Sequence, residues 1–148
     1  ESVDTLTEIT TRNHNDLQNR DAADAHPQFS TRTITFIIDG GGVTITTGQK
    51  GHLEIPFACT ILTWTLLADQ PGSIIIDVWK NTYANFPPVA ANTITGTEKP
   101  TLSSAQKNQD VDLTTWTTEI NAGDILAFCV DSVSTVQRVT LSLKASVG

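Results

Sequence analysis

The stretch "HLEIPFACTILTWTLL", residues 52–67, followed after a break by "SIIIDVWK", residues 73–80, decides how this chain folds. Its apolar residues recur every second position, the repeat of a strand whose side chains alternate between two faces of a sheet. Leu53, Ile55, Phe57 and Cys59 fall on one face. The alternation slips near Cys59 and Thr60, and Leu62, Trp64 and Leu66 then carry it on. A slip of one residue exchanges the faces of a strand, so a bulge or turn is expected there. In 73–80, Ile74, Ile76 and Val78 share a face opposite Ile75, Asp77 and Trp79.

The same period extends outward. "TITFIID" (33–39) aligns Ile34, Phe36 and Ile38, and "DILAFCV" (124–130) and "QRVTLSLK" (137–144) continue the set. Many of the 24 threonines fall in these runs, where β-branched side chains suit a pleated surface. Turn formers punctuate the pattern at 39–42, 70–72, 86–88 and 121–123. With weaker candidates at 43–47, 92–95 and 111–113, the chain holds about eight or nine strands and no helical period between them. The expected fold is all-β: an antiparallel β-sandwich, jelly-roll-like, over residues 32–148. Gly40–Gly42 reads as a hairpin turn. A phosphate loop would need a helix after it, and "VTITTG" is strand-like. Two longer loops are expected at 81–91 and 96–110, and 114–120 is either a short helical turn or a loop.

Residues 1–31 are of another kind. "HNDLQNRDAADAHP" (14–27) is almost wholly polar and ends at a proline. The net charge of the 148-residue chain is −7, and residues 1–27 hold six acids and two bases. Without a cluster of Lys and Arg, binding to a nucleic-acid backbone is not expected. No apolar run reaches the ~18 residues of a membrane span, and Glu1–Thr11 has neither the basic nor the apolar region of a secretory signal. The chain has no Met, so it is expected to be the C-terminal piece of a longer protein. Val3, Leu6, Thr10, Asn13 and Leu17 follow a 3, 4, 3, 4 spacing, the seam of a coiled coil. Two heptads are too short for a stable lone helix, so this segment is either a seam between copies already held together or a disordered linker.

Catalytic signals are thin. His14, His26 and His52 lie in different contexts, without an elbow motif beside a nucleophile. His14 and His26 are read as solvated side chains, although three copies meeting at an axis could place a metal between them. Asp39, Asp69, Asp77, Asp110, Asp112 and Asp124 sit mostly at turns and strand ends, where aspartate is expected without catalysis. Cys59 and Cys129, in apolar alternating runs, read as buried thiols; spacing alone does not decide whether they bond. No metal and no cofactor is expected. The aromatics are more informative. Trp79 points away from Ile76 and Val78, Tyr83 and Phe86 follow it, and Trp116 comes after the second long loop. Aromatic faces stack on sugar rings and anchor interfaces, and Trp79 fits either an exposed stacking face or a contact with another subunit.

Taken together, "HNDLQNRDAADAHP", "TFIIDGGGVTITTGQKGHLEIPFACTILTWTLLADQPGSIIIDVWKNTYANFPP" (35–88), "TEKPTLSSAQKNQ" (97–109), "LTTWTTEINAGDILAFCVDS" (113–132) and "VTLSLK" (139–144) resemble the distal end of a tailed-bacteriophage tail fibre. The resemblance spans nearly the whole chain and implies a non-enzymatic homotrimeric tip at the distal end of the virion's tail fibre. The rest of the fibre would lie on its N-terminal side. The tip would bind a host cell-surface glycan, such as lipopolysaccharide or capsule, or an outer-membrane protein. Residues 1–31 would be a neck, helical or extended, with Val3, Leu6, Asn13 and Leu17 turned inward. Manufacture in the host bacterial cytoplasm implies reduced thiols. Receptor contacts are expected from Trp79, Tyr83, Asn85, Phe86, Lys99, Lys107, Asn108 and Trp116. The competing expectations are a structural trimerisation cap and a capsule-degrading depolymerase. The second fits poorly a short chain without internal repeats.

Overall fold

Seven strands form among residues 30–147, the residues that the computed structural model describes: β1 Ser30–Asp39, β2 Gly48–Ile55, β3 Cys59–Asn81, β4 Thr101–Asp110, β5 Glu119–Ile120, β6 Asp124–Ser134 and β7 Arg138–Val147. The proposed neck, with Val3, Leu6, Asn13 and Leu17, and the histidines His14 and His26 lie outside the described residues.

The organising element is β3, 23 residues long. Its first half pairs antiparallel with β7, from Thr60 opposite Ser146 to Ala68 opposite Val139. Its second half pairs antiparallel with β6, from Ser73 opposite Ser134 to Asn81 opposite Ile125. Since β6 passes into β7 through a short turn, the two together run antiparallel to the whole length of β3, making one long ribbon that bends in the middle. Outside the ribbon lie β1 next to β7 and β2 next to β6, in the order β1-β7-β3-β6-β2. On the other edge of β3, β4 pairs with Trp64–Ile75 and β5 with Cys59 and Thr60.

The sheet curls until its ends face each other. Phe36 of β1 stacks on Phe128 of β6 with ring centroids 4.2 Å apart and planes 10° from parallel, although two strands separate them in the pairing order. At Gly51 of β2, a Cβ would stand 2.7 Å from Phe36 Cζ, so only glycine lets this edge close over the ring. The result is an antiparallel β-sandwich of jelly-roll type. Between its layers lies one core holding Ile34, Ile38, Leu66, Ile74, Ile76, Val78, Leu126, Phe128, Leu141 and Leu143. Each large apolar side chain removed from water there contributes about 1.5–3 kcal/mol before chain entropy is counted.

Several expectations are corrected. The slip in β3 lies at Leu62, between Ile61 and Thr63, rather than at Cys59 and Thr60; Ile61 and Trp64 are buried and Leu62 is exposed. The chain does break earlier, since β2 ends at Ile55 and β3 begins at Cys59. Gln70-Pro71-Gly72 does not end a strand, for β3 continues through it, with its register against β4 shifting between Leu67 and Gly72. Gly40–Gly42 is not a hairpin turn, because β1 and β2 are not neighbours in the sheet. The glycines instead start a crossing in which Gly40 and Ile45 donate backbone bonds to Gln137 and Val136 at 2.7 and 2.9 Å. Residues 43–47 and 111–113 contain no strand, and 92–95 contributes a single bridge, Thr93 to Trp79. The supposed loop 96–110 is, from Thr101 onward, strand β4.

Candidate functional site

The chain leaves β3 at Asn81 and enters a loop whose aromatics face outward. Asn81 Oδ1 accepts from Thr82 N at 2.9 Å, and Thr82 Oγ1 accepts from Asn85 N at 3.3 Å, which caps a 3₁₀ turn at Tyr83–Asn85. The Phe86–Pro87 peptide is cis. A second 3₁₀ turn, Ala90–Asn92, is held where Asn92 Oδ1 accepts from Val89 N at 2.8 Å and from Asn81 Nδ2 at 3.3 Å. These bonds tie both ends of the loop to the end of β3 and fix what lies between. Tyr83 is 78% exposed and Phe86 48%. The Phe86 ring meets His52 of β2 edge to face, centroids 4.7 Å apart. The Gln49 side-chain amide nitrogen lies 3.2 and 3.1 Å from the two His52 ring nitrogens.

Beside this loop, a buried carboxylate anchors the crossing at Thr93–Lys99, between the loop and β4. Asp77 Oδ1 accepts from Val78 N at 2.8 Å, Thr93 Oγ1 at 2.6 Å and Thr95 Oγ1 at 2.8 Å. Its Oδ2 accepts from Trp79 Nε1 at 3.0 Å and stands 3.5 Å from Lys99 Nζ, which also pairs with Asp131 at 2.7 Å. Burial pushes the Asp77 carboxyl up, but the bonds from Thr93, Thr95 and Trp79 and the charge of Lys99 outweigh it and hold it below the usual range. The bond to Asp131 chiefly raises Lys99, against the opposing effect of burial. Cys59 and Cys129 are free and buried. Burial, with the charges of Asp77 and Asp131, pushes the Cys129 thiol up to about 11, and burial raises Cys59 as well. Neither is set up as a nucleophile.

The sequence-predicted site residues therefore separate. Tyr83, Asn85 and Phe86 stand together on the outward loop. Trp79 is half-buried with its N–H committed to Asp77, and Lys99 is tied into its ion pairs. Trp116 is buried, its Nε1 donating to Glu98 O at 2.9 Å, so it belongs to the core and offers no ring to a receptor. Lys107 and Asn108 lie on β4 beside the first half of β3, away from the loop that follows the second half. Both line a shallow depression of about 420 Å³, and Lys107 with Leu67 also lines a second of about 570 Å³. Asn108 already donates to Thr101 O at 2.8 Å and accepts from Gln109 N at 2.9 Å. Sequence reasoning missed His52 and Gln49 as partners of the loop. Their contact with Phe86 is made by the folded sheet, and no local signal pairs position 52 with position 86. Among the described residues, no group of three His, Cys, Asp or Glu side chains is arranged for a metal.

No protein-family model and no curated protein matches the chain. Solved structures are similar in fold only. The K3 adhesin domain of Lys-gingipain from Porphyromonas gingivalis W83 is 12% identical, with a TM-score of 0.37 over 78% of this chain and 91% of that one. A CBM4 structure is 16% identical, with a TM-score of 0.35 over 84% and 94%. A structure of infectious bursal disease virus, Gx strain, is 15% identical, with a TM-score of 0.36 over 81% of this chain and 32% of that one.

Proposed function

We propose that the chain is the receptor-binding end of a tailed-bacteriophage tail fibre: a non-enzymatic tip, trimeric in use, that attaches the particle to a surface glycan or outer-membrane protein of its bacterial host. The supporting observation is where the aromatic side chains go. Among the described residues, Trp64, Trp116 and Phe128 are buried, Phe36, Phe57 and Trp79 are half-buried, and the exposed rings Tyr83 and Phe86 belong to one braced loop. Exposed aromatics cost solubility, and a fixed loop that concentrates them is what a binding surface needs. The fibre itself is inferred from the sequence resemblance. A trimer would offer three copies of the loop, so that a weak single contact adds up to firm attachment.

The test is competition: the purified chain should block adsorption of the phage that carries it, and light scattering should give a mass near three chains. A second reading, a trimerisation cap without receptor contact, draws on the exposure of Ile37, Leu62 and Leu67 away from the aromatic loop. A cap would leave adsorption unaffected at any concentration. Release of reducing ends from host polysaccharide would instead make the chain a depolymerase.

A further inference from the structure

We propose that Tyr83, Phe86 and His52 form a stacking subsite for a neutral sugar ring, with Asn85 and Gln49 taking its hydroxyls. This rests on the receptor-binding reading above and adds to it a ligand class and a second strand. Three observations converge. The Tyr83 and Phe86 rings are exposed within one short turn, whose backbone closes with Phe86 N donating to Tyr83 O at 3.2 Å. His52, from β2, braces Phe86 edge to face, so the ring is held in place before any ligand arrives. The polar groups at hand are neutral amides and a phenol. The Tyr83 hydroxyl and the Asn85 side-chain amide make no hydrogen bond among the described residues, and Gln49 reaches the site through His52. A sugar presents the same pair of surfaces, an apolar C–H face for stacking and a rim of hydroxyls for amides.

Charge selects the class. The chain carries a net −7, which repels polyanions. Lys80 is engaged, donating to Glu119 O at 2.6 Å and standing 3.7 Å from Asp124, whereas Lys50 donates to the neutral Thr46 Oγ1 at 2.8 Å and keeps its charge. An acidic sugar would meet that net negative charge with the Lys50 ammonium set against it, while a neutral one has nothing to lose.

The experiment uses the full chain and has two arms. In the first, calorimetry measures binding of neutral oligosaccharides of glucose, galactose, mannose and N-acetylglucosamine, with polysialic acid as the anionic probe. At least one neutral sugar is expected to bind and polysialic acid is not. Tyr83→Ala and Phe86→Ala should each weaken binding about tenfold, and Lys144→Ala, at an exposed position of β7, should leave it unchanged. Thermal melts confirm that each variant folds, and Tyr83→Phe, which keeps the ring, should retain most of the affinity. In the second arm, fluorescently labelled chain is applied to host bacteria. Labelled cells whose signal survives Tyr83→Ala, Phe86→Ala and His52→Ala would overturn the subsite and leave the receptor-binding reading standing. So would a chain that binds no neutral sugar, or binds polysialic acid more tightly. Cells left unlabelled by the unaltered chain would overturn both.

Discussion

Asp77 shows at the residue scale why a carboxylate can sit in the middle of an apolar strand. "SIIIDVWK" reads as a strand interrupted by one polar side chain, and Asp77 is 5% exposed. Its two oxygens are satisfied unequally. Oδ1 takes three donors, while Oδ2 takes the Trp79 indole and faces Lys99. Asp77→Asn would set an amide N–H against the indole N–H and the lysine ammonium. Chemical denaturation should then show a loss of about 2 kcal/mol, with an altered Trp79 emission as the indole loses its partner. The two buried tryptophans give a paired comparison. Trp116 Nε1 donates to Glu98 O, whereas Trp64 Nε1 is buried without a partner. Both Trp→Phe changes remove the same atoms, but the N–H lost at Trp64 is an unsatisfied one, whereas the N–H lost at Trp116 takes a hydrogen bond to Glu98 O with it. Trp64→Phe is expected to be less destabilising than Trp116→Phe by about 1 kcal/mol in equilibrium unfolding. Equal losses would mean that the unpaired indole costs nothing.

For the elements, the lesson of β3 is that turn-forming residues need not end a strand. Asp69–Gly72 marks the bend of the ribbon, and the bend is braced from the other side. Gln137 N and Arg138 N donate to Asp69 Oδ1 at 3.1 and 3.0 Å, and the Gln70 side chain reaches Thr135 O. A Cβ at Gly72 would fall 2.7 Å from both Ser134 O and Val136 Cγ2, and would press on Thr135 Oγ1. Gly72→Ala should therefore force the turn between β6 and β7 away from β3. We expect a loss of roughly 2 kcal/mol or more, read as a lower melting temperature with retained β-sheet circular dichroism. The strands that were legible in the sequence, Ile34 to Ile38, Ile74 to Val78 and Val139 to Leu143, bury one face against the core, and period two records that. Strand β4 was not legible because it lies at an edge. Only Leu102 of "TLSSAQKNQD" is buried, so its pattern matches a polar loop. The site divides in the same way. Tyr83 and Phe86 could be named from sequence because they sit together in a loop with turn formers. His52 could not, because its role depends on the curled sheet bringing β2 to the end of β3.

Over the whole molecule, three carboxylates join segments far apart in sequence, and this sets how the fold should respond to acid. Asp69 ties the bend of β3 to the start of β7, Asp77 ties β3 to the crossing at Thr93–Lys99, and Glu98 ties that crossing to Thr114 and Thr115. Each is held below the usual carboxylate range. The Arg138 backbone bond is the chief cause for Asp69, and the Thr115 hydroxyl and backbone N–H for Glu98; at Asp77 the hydrogen bonds and Lys99 overcome burial. A carboxyl that binds its proton less readily folded than unfolded adds stability above its unfolded pKa, near 4, and loses that stability as pH falls through the lower folded value. Above that range the net charge of −7 acts the other way, since mild acidification relieves repulsion. The melting temperature is thus expected to stay level or rise slightly from pH 7 to about 5, and to fall steeply below about 4. The acid limb should survive added salt, because at Asp69 and Glu98 it comes from directed N–H and O–H donors rather than from screened ion pairs. Glu98→Gln should flatten part of that limb and leave the neutral plateau lower. A profile that collapses in 0.5 M salt would assign acid sensitivity to long-range charge instead and remove these three ties from the account of the fold.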